Sequence, residues 1–172
     1  MNEPRSINEL NDDLFQAEEA DRFADPKEVR KKAMDYLARR EYGHDELINK
    51  LTKAGFESGI AATVVGVLRD ENLQSDQRFS ESFLQSRVSQ GKGPVRIRQE
   101  LKERGIRPEV VDDALEEVAK DWFALAQEVR VKKFGAGIPG EFKEKARQMR
   151  FLQYRGFEQE HIQSAVRSNG DD

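Results

Sequence analysis

Three glycines set the frame of this chain. Gly55, Gly105 and Gly156 lie 50 and 51 residues apart, and the residues around them repeat. Four positions before each stands Leu51, Leu101 or Leu152. Just after each stands Phe56, Ile106 or Phe157, and ten positions after stands Val65, Leu115 or Val166. A fixed period of this length signals stacked supersecondary units, none of which can bury its apolar face alone. The glycine has a physical task in each unit. It ends a helix just past the cap, where φ is positive, and the apolar residue after it packs back on the last turn.

The segments between these glycines have helical spacing. Val29, Ala33, Tyr36 and Leu37 share one face, behind an Asp25-Pro26 start signal. Leu47, Ile48 and Leu51 mark a second helix, and Ile60, Ala61, Val64, Val65 and Leu68 a third. A fourth starts with a cap at Ser75 or Asp76 and turns Phe79 and Phe83 inward. Gly93-Pro94 opens a fifth with Ile97 and Leu101, and Pro108 a sixth. Trp122, Leu125, Ala126 and Val129 mark a seventh, Phe142, Ala146, Met149 and Leu152 an eighth, and Ile162, Ala165 and Val166 a short ninth. No stretch alternates as a strand does.

The expected fold is therefore all-α, with three tandem three-helix repeats at residues 25–73, 74–118 and 119–172. Residues 1–24 read as an acidic, mobile extension with a transient helix from about Ile7 to Phe15. Apolar residues make up 37% of the chain and charged residues 36%. That apolar supply suits several small cores in an elongated body better than one spherical core.

There is no cysteine, so disulfides and thiolate metal sites are excluded. No run approaches the roughly 18 apolar residues of a membrane span. The start lacks an apolar stretch of signal-peptide length. The chain is expected to be cytoplasmic.

Candidate chemistry is sparse. Residues 135–140 spell G-x-G-x-x-G, but a dinucleotide cradle needs a strand before the loop, and here a helix precedes it. Gly91-Lys92-Gly93-Pro94 raises a phosphate contact at a helix start, without P-loop spacing. His44 and His161, the two histidines, have no metal-ligand partner at helical spacing and suit surface or capping roles. Asp70, Glu71, Asn72, Ser75 and Asp76 lack the glycine and closing glutamate of a calcium loop. No catalytic, cofactor-binding or metal-binding residue is assigned, and the chain is expected not to be an enzyme.

Charge is segregated. Residues 1–26 hold eight acidic and two basic side chains, residues 86–107 seven basic and two acidic, and residues 108–121 six acidic and one basic. Pairing at i,i+4 joins Arg96 to Glu100 and Glu100 to Arg104. It leaves Arg87, Lys92, Arg98, Lys102 and Arg107 unmatched within the basic segment. That surface suits an acidic partner, either protein or nucleic acid. Phe79, Phe83, Trp122 and Phe123 fall largely on core faces, which disfavours base stacking.

Specific runs of residues resemble a known family. Leu37-Ala38-Arg39-Arg40-Glu41-Tyr42 leads to Asp45-Glu46-Leu47 and then Leu51-Thr52-Lys53-Ala54-Gly55-Phe56. Asp76-Gln77-Arg78-Phe79 leads to Gly91-Lys92-Gly93-Pro94, Arg96-Ile97 and the run from Leu101 to Ile106. From residue 28 to about 167 the chain resembles the RecX family, bacterial regulators of the RecA recombinase. The resemblance is looser in the third repeat and does not extend to residues 1–24.

The resemblance implies three three-helix units in a curved, elongated body. It implies a monomer that binds the RecA filament on single-stranded DNA and restrains its recombinase, ATPase and coprotease activities in DNA repair and the SOS response. It implies no cofactor and no catalytic site. Arg39, Arg40, Arg87, Lys92, Arg96, Arg98, Lys102, Arg104, Lys132 and Lys133 are the expected partner-contact residues. The alternative is direct binding of single- or double-stranded nucleic acid through the strip at 87–107. A chain shortened to end at Val118 is expected to fold and to lose its preference for the filament.

Overall fold

The computed structural model describes residues 4–118 and 120–167, which form ten α-helices and no strand. They belong to two compact units, Met1–Asp76 and Gln77–Asp172.

The first unit holds α1 (Ile7–Phe23), α2 (Pro26–Leu37), α3 (His44–Lys53) and α4 (Ser58–Asp70). Helix α1 extends well beyond the short transient helix expected. A capping box starts it: the Ser6 hydroxyl accepts from the Glu9 amide at 3.2 Å, and the Glu9 carboxylate accepts from the Ser6 amide at 2.8 Å. It buries none of its own residues. It is tied down at its far end, where Phe23 meets Phe56 edge-on at 5.2 Å and the Phe23 carbonyl accepts from the Glu57 amide.

Helix α2 starts as its sequence dictates, with the Asp25 carboxylate on the Lys27 amide and Pro26 in the first turn. Val29, Ala33, Leu47, Leu51, Ala61, Val65 and Leu68 are wholly buried and make the core of the unit. The Glu57 carboxylate caps α4, accepting from the Gly59 and Ile60 amides at 2.9 and 2.8 Å. Those two hydrogen bonds hold its carboxyl below the usual carboxylate range. The expected cap at Asp76 works across the sequence. Its carboxylate accepts from the His44 amide, at the start of α3, and from the buried Gln74 side chain.

The second unit continues with α5 (Asp76–Ser89), α6 (Pro94–Glu103), α7 (Pro108–Val118), α8 (Trp122–Phe134), α9 (Phe142–Arg155) and α10 (Gln159–Val166). Phe79, Phe83, Leu84, Ile97, Leu101, Ile106 and Val111 form one cluster. Leu125, Ala126, Leu152, Phe157, Ile162, Ala165 and Val166 form another, and half-buried Val88 and Trp122 pack against both.

The triplicated glycines have the conformation their spacing predicts. Gly55, Gly105 and Gly156 have φ of 106, 77 and 95°. In each case the following amide (Phe56, Ile106, Phe157) donates back to the carbonyl of the leucine (Leu51, Leu101, Leu152) at 3.2, 3.2 and 3.3 Å. The glycine amide donates to the carbonyl one residue further on. This is the Schellman arrangement, and both of its apolar members are buried each time. Phe142 departs from the sequence reading, which places it on an inner face. It stands at the first turn of α9 and is 88% exposed.

Candidate partner-binding surfaces

The basic segment is less open than its composition implies. Glu100 lies on α6 between two cations, with Arg87 at 3.1 Å and Lys92 at 3.4 Å. Both come from outside its own helix, where i,i+4 counting cannot find them. Burial alone would push the Glu100 carboxyl up. The charges of Lys92 and Arg87 and their hydrogen bonds together outweigh burial and hold it below its usual range. The expected side-chain partners of Glu100 lie elsewhere. Arg104 donates to the Glu100 main-chain carbonyl at 3.2 Å and lies over the Phe83 ring. Arg96 donates to the Tyr154 carbonyl and lies over that ring. Arg98, unmatched within the basic segment, pairs with Asp112 of α7.

The first unit shows the same division. Arg40 pairs with Glu46 at 2.9 Å and stacks 3.6 Å from the centre of the Tyr42 ring. Arg39 and Lys102 are exposed and have no carboxylate partner among the described residues. Of the ten expected contact residues, four (Arg40, Arg87, Lys92 and Arg98) are thus engaged by carboxylates of the chain itself.

Lys132 and Lys133 belong to a different feature. They line a cavity of about 640 Å³ in the second unit. Two cations that the sequence reading missed, Lys120 and Arg155, line it as well. Val88, Leu125, Val129 and Phe151 form its apolar floor, and Glu128 is its one carboxylate. Lys120 precedes α8 and Arg155 closes α9, so only the packing of helices from different positions in the chain assembles the set. The Phe151 ring is covered: Arg155 lies 5.2 Å and Lys133 5.8 Å from its centre, and Phe134 meets it edge-on. A cationic rim over an apolar floor suits an acidic peptide with apolar side chains, and a covered ring does not suit base stacking.

The phosphate contact raised by Gly91-Lys92-Gly93-Pro94 fails on geometry. The amides at the start of α6 are in use, with Gly93 donating to the Arg155 carbonyl and Val95 to the Gly156 carbonyl, both at 2.9 Å. The glycine loop after α8 is held by Arg130, which donates to the Gly137 carbonyl at 3.0 Å. His161 is buried, and its Nδ1 accepts from the Glu158 amide at the start of α10, a capping role. His44 sits in the first turn of α3, beside Asp45. Phe79 and Phe83 are buried as expected, whereas Phe123 is 45% exposed and touches His161 edge-on.

No helix among the described residues is long and apolar enough to cross a membrane. Residues 30–68, 75–115 and 119–166 match the first, second and third three-helix domains of RecX. The chain is 43% identical to the Regulatory protein RecX of Halorhodospira halophila over 144 residues, covering 84% of this chain and 89% of the relative. It is 43% identical to that of Pseudomonas fluorescens over 134 residues, covering 78% and 86%. Two solved structures share the fold. A crystal structure of regulatory protein RecX has a TM-score of 0.68 at 21% identity, covering 80% of this chain and 71% of that one. RecX from Lactobacillus salivarius has 0.63 at 20%, covering 82% and 94%. With all three helical domains matched in order and relatives aligned over most of both chains, the protein belongs to the RecX family of regulatory proteins.

Proposed function

We propose that this chain regulates a RecA recombinase by binding its filament on single-stranded DNA and restraining its recombinase, ATPase and coprotease activities. The observation that carries the reading is the match of three successive domains to RecX, with relatives named regulatory proteins. The physical logic is multivalency. Several small helical units linked in one chain can touch successive protomers, and each bound unit raises the effective concentration of the next. The rim of Lys120, Lys132, Lys133 and Arg155 supports contact with acidic protein segments. In this reading the chain works in the cytoplasm and performs no chemistry of its own.

Direct nucleic-acid binding is the second reading. It is favoured by Arg39 and Lys102, exposed cations without carboxylate partners among the described residues. Co-sedimentation with RecA on single-stranded DNA, set against free RecA and against naked strand, separates the two. The filament is expected to retain the protein at least tenfold better than either, and its ATPase rate to fall. Equal retention on naked strand would favour the second reading, and no retention on filament would overturn the first.

A further inference from the structure

Helix α1 lies before the family-matched domains, which begin at residue 30, and it alone among the ten helices has no fully buried residue, its one half-buried anchor being Phe23. Yet it is amphipathic. At about 100° per residue, Ile7, Leu10 and Leu14 fall within roughly 60° of one another, with Phe15 at their edge. They are 76, 47, 63 and 63% exposed. Phe23, which fixes the helix to the first unit, falls about 180° from Leu14. The apolar stripe therefore faces away from the core to which its own helix is anchored. On the stripe side the next turns carry Glu18 and Asp21. The whole helix has six carboxylates against one cation, Arg22.

This charge decides what can cover the stripe. Phosphate backbones and anionic lipid surfaces repel it, and two α1 helices face to face would bring like charges together. A fitting surface needs an apolar floor and a cationic rim. The same chain carries one in its second unit, where Lys120, Lys132, Lys133 and Arg155 surround the cavity against one carboxylate, Glu128. None of these four cations pairs with a carboxylate among the described residues. From Ile7 to Leu14 the stripe is about 10 Å long.

We propose that α1 of one chain docks in the basic cavity of a second copy, with Leu10 and Leu14 on the apolar floor and Glu18 and Asp21 on the cationic rim. The contact joins two different surfaces, so it is heterologous: each chain in an associated pair leaves one surface free for another copy.

Sedimentation velocity of the full chain over rising concentration tests this. Association is expected to strengthen with concentration and weaken with salt. Leu10→Ser with Leu14→Ser, and separately Lys132→Glu with Lys133→Glu, should each weaken association at least tenfold. Each variant keeps the surface the other lacks, so an equimolar mixture should form a one-to-one pair that grows no further. If circular dichroism shows that the serine pair melts α1, Glu18→Lys with Asp21→Lys takes its place. Combining those lysines with the two glutamates in one chain should then restore association. A chain that stays single at every concentration, association that neither variant weakens, or two folded variants that do not pair would each overturn the proposal. No recombinase enters the experiment, so its failure leaves the filament reading untouched.

Discussion

Gly93 and Gly156 meet backbone to backbone: a Cβ placed on Gly93 would stand 2.4 Å from the Gly156 carbonyl carbon and oxygen. The contact joins the end of α9 to the start of α6. Orphan carbonyls at one helix end accept from orphan amides at the other, and the two helix dipoles meet with opposite sign. Gly93 has φ of −88°, which any residue adopts, so its glycine is required by space alone.

Gly93→Ala therefore tests packing without backbone strain. Forcing a methyl group into the contact is expected to cost about 1–3 kcal/mol. Hydrogen exchange should show lost protection at the Gly93 and Val95 amides, while the amides of α2 to α4 keep theirs. Unchanged exchange at Val95 would mean that the two backbones separate freely.

Gly105→Val tests the opposite case, in which conformation matters. With φ at 77°, a β-branched residue is strained, and the loss should be roughly 1 kcal/mol or more. Gly105→Asn should lose less, because asparagine tolerates the left-handed region, as Asn72 does here at φ 59°. Urea midpoints that do not rank glycine above asparagine above valine would contradict the Schellman assignment.

Glu100 makes part of the stability depend on pH. Its carboxyl lies below the ordinary value of 4.5 in the folded chain, so its contribution is present above that value. The contribution is lost as pH falls through the lowered folded value. Glu100→Gln should destabilise the second unit by about 1–2 kcal/mol at neutral pH. The gap between variant and wild type should close on acidification below pH 4.5. A gap that persists unchanged at acid pH would mean that the charge on Glu100 is not what Arg87 and Lys92 hold.

Lys132→Glu with Lys133→Glu should weaken filament binding at least tenfold at low salt and flatten its salt dependence, with helicity unchanged. Arg98→Glu with Lys102→Glu is less clean, since Arg98 already pairs with Asp112 and reversal sets two carboxylates together. Binding of the Lys132 and Lys133 variant at wild-type strength across salt would remove the cavity from the partner surface.

The structure moves the useful truncation point. Ending the chain at Val118 would strip α9 from the amides of α6 and uncover Val88, which packs against both clusters of the second unit. Such a chain is expected to lose cooperative unfolding. Ending after Asp76 keeps the first core whole, including the Asp76 carboxylate on the His44 amide. That shorter chain should show a cooperative helical transition, and a broad, featureless melt would show that the first unit does not stand alone.

The repeat, the helical class and the glycine turns were legible in the sequence because their causes are local. A leucine, a glycine with positive φ and an apolar residue close a helix wherever they occur in that order. The Asp25-Pro26 start and the inward faces of α2 to α4 follow from spacing of the same short range. Charge was legible as composition but not as placement. Glu100 finds Arg87 and Lys92 across 13 and 8 residues, and Arg98 finds Asp112 across 14, distances that helical periodicity does not encode. Tertiary packing alone brought Lys120 and Arg155 beside Lys132 and Lys133, and closed the start of α6 to any phosphate. The division has one physical reason: backbone conformation and apolar periodicity are set within a turn or two of helix, whereas a cavity is made by residues that only the folded chain makes neighbours.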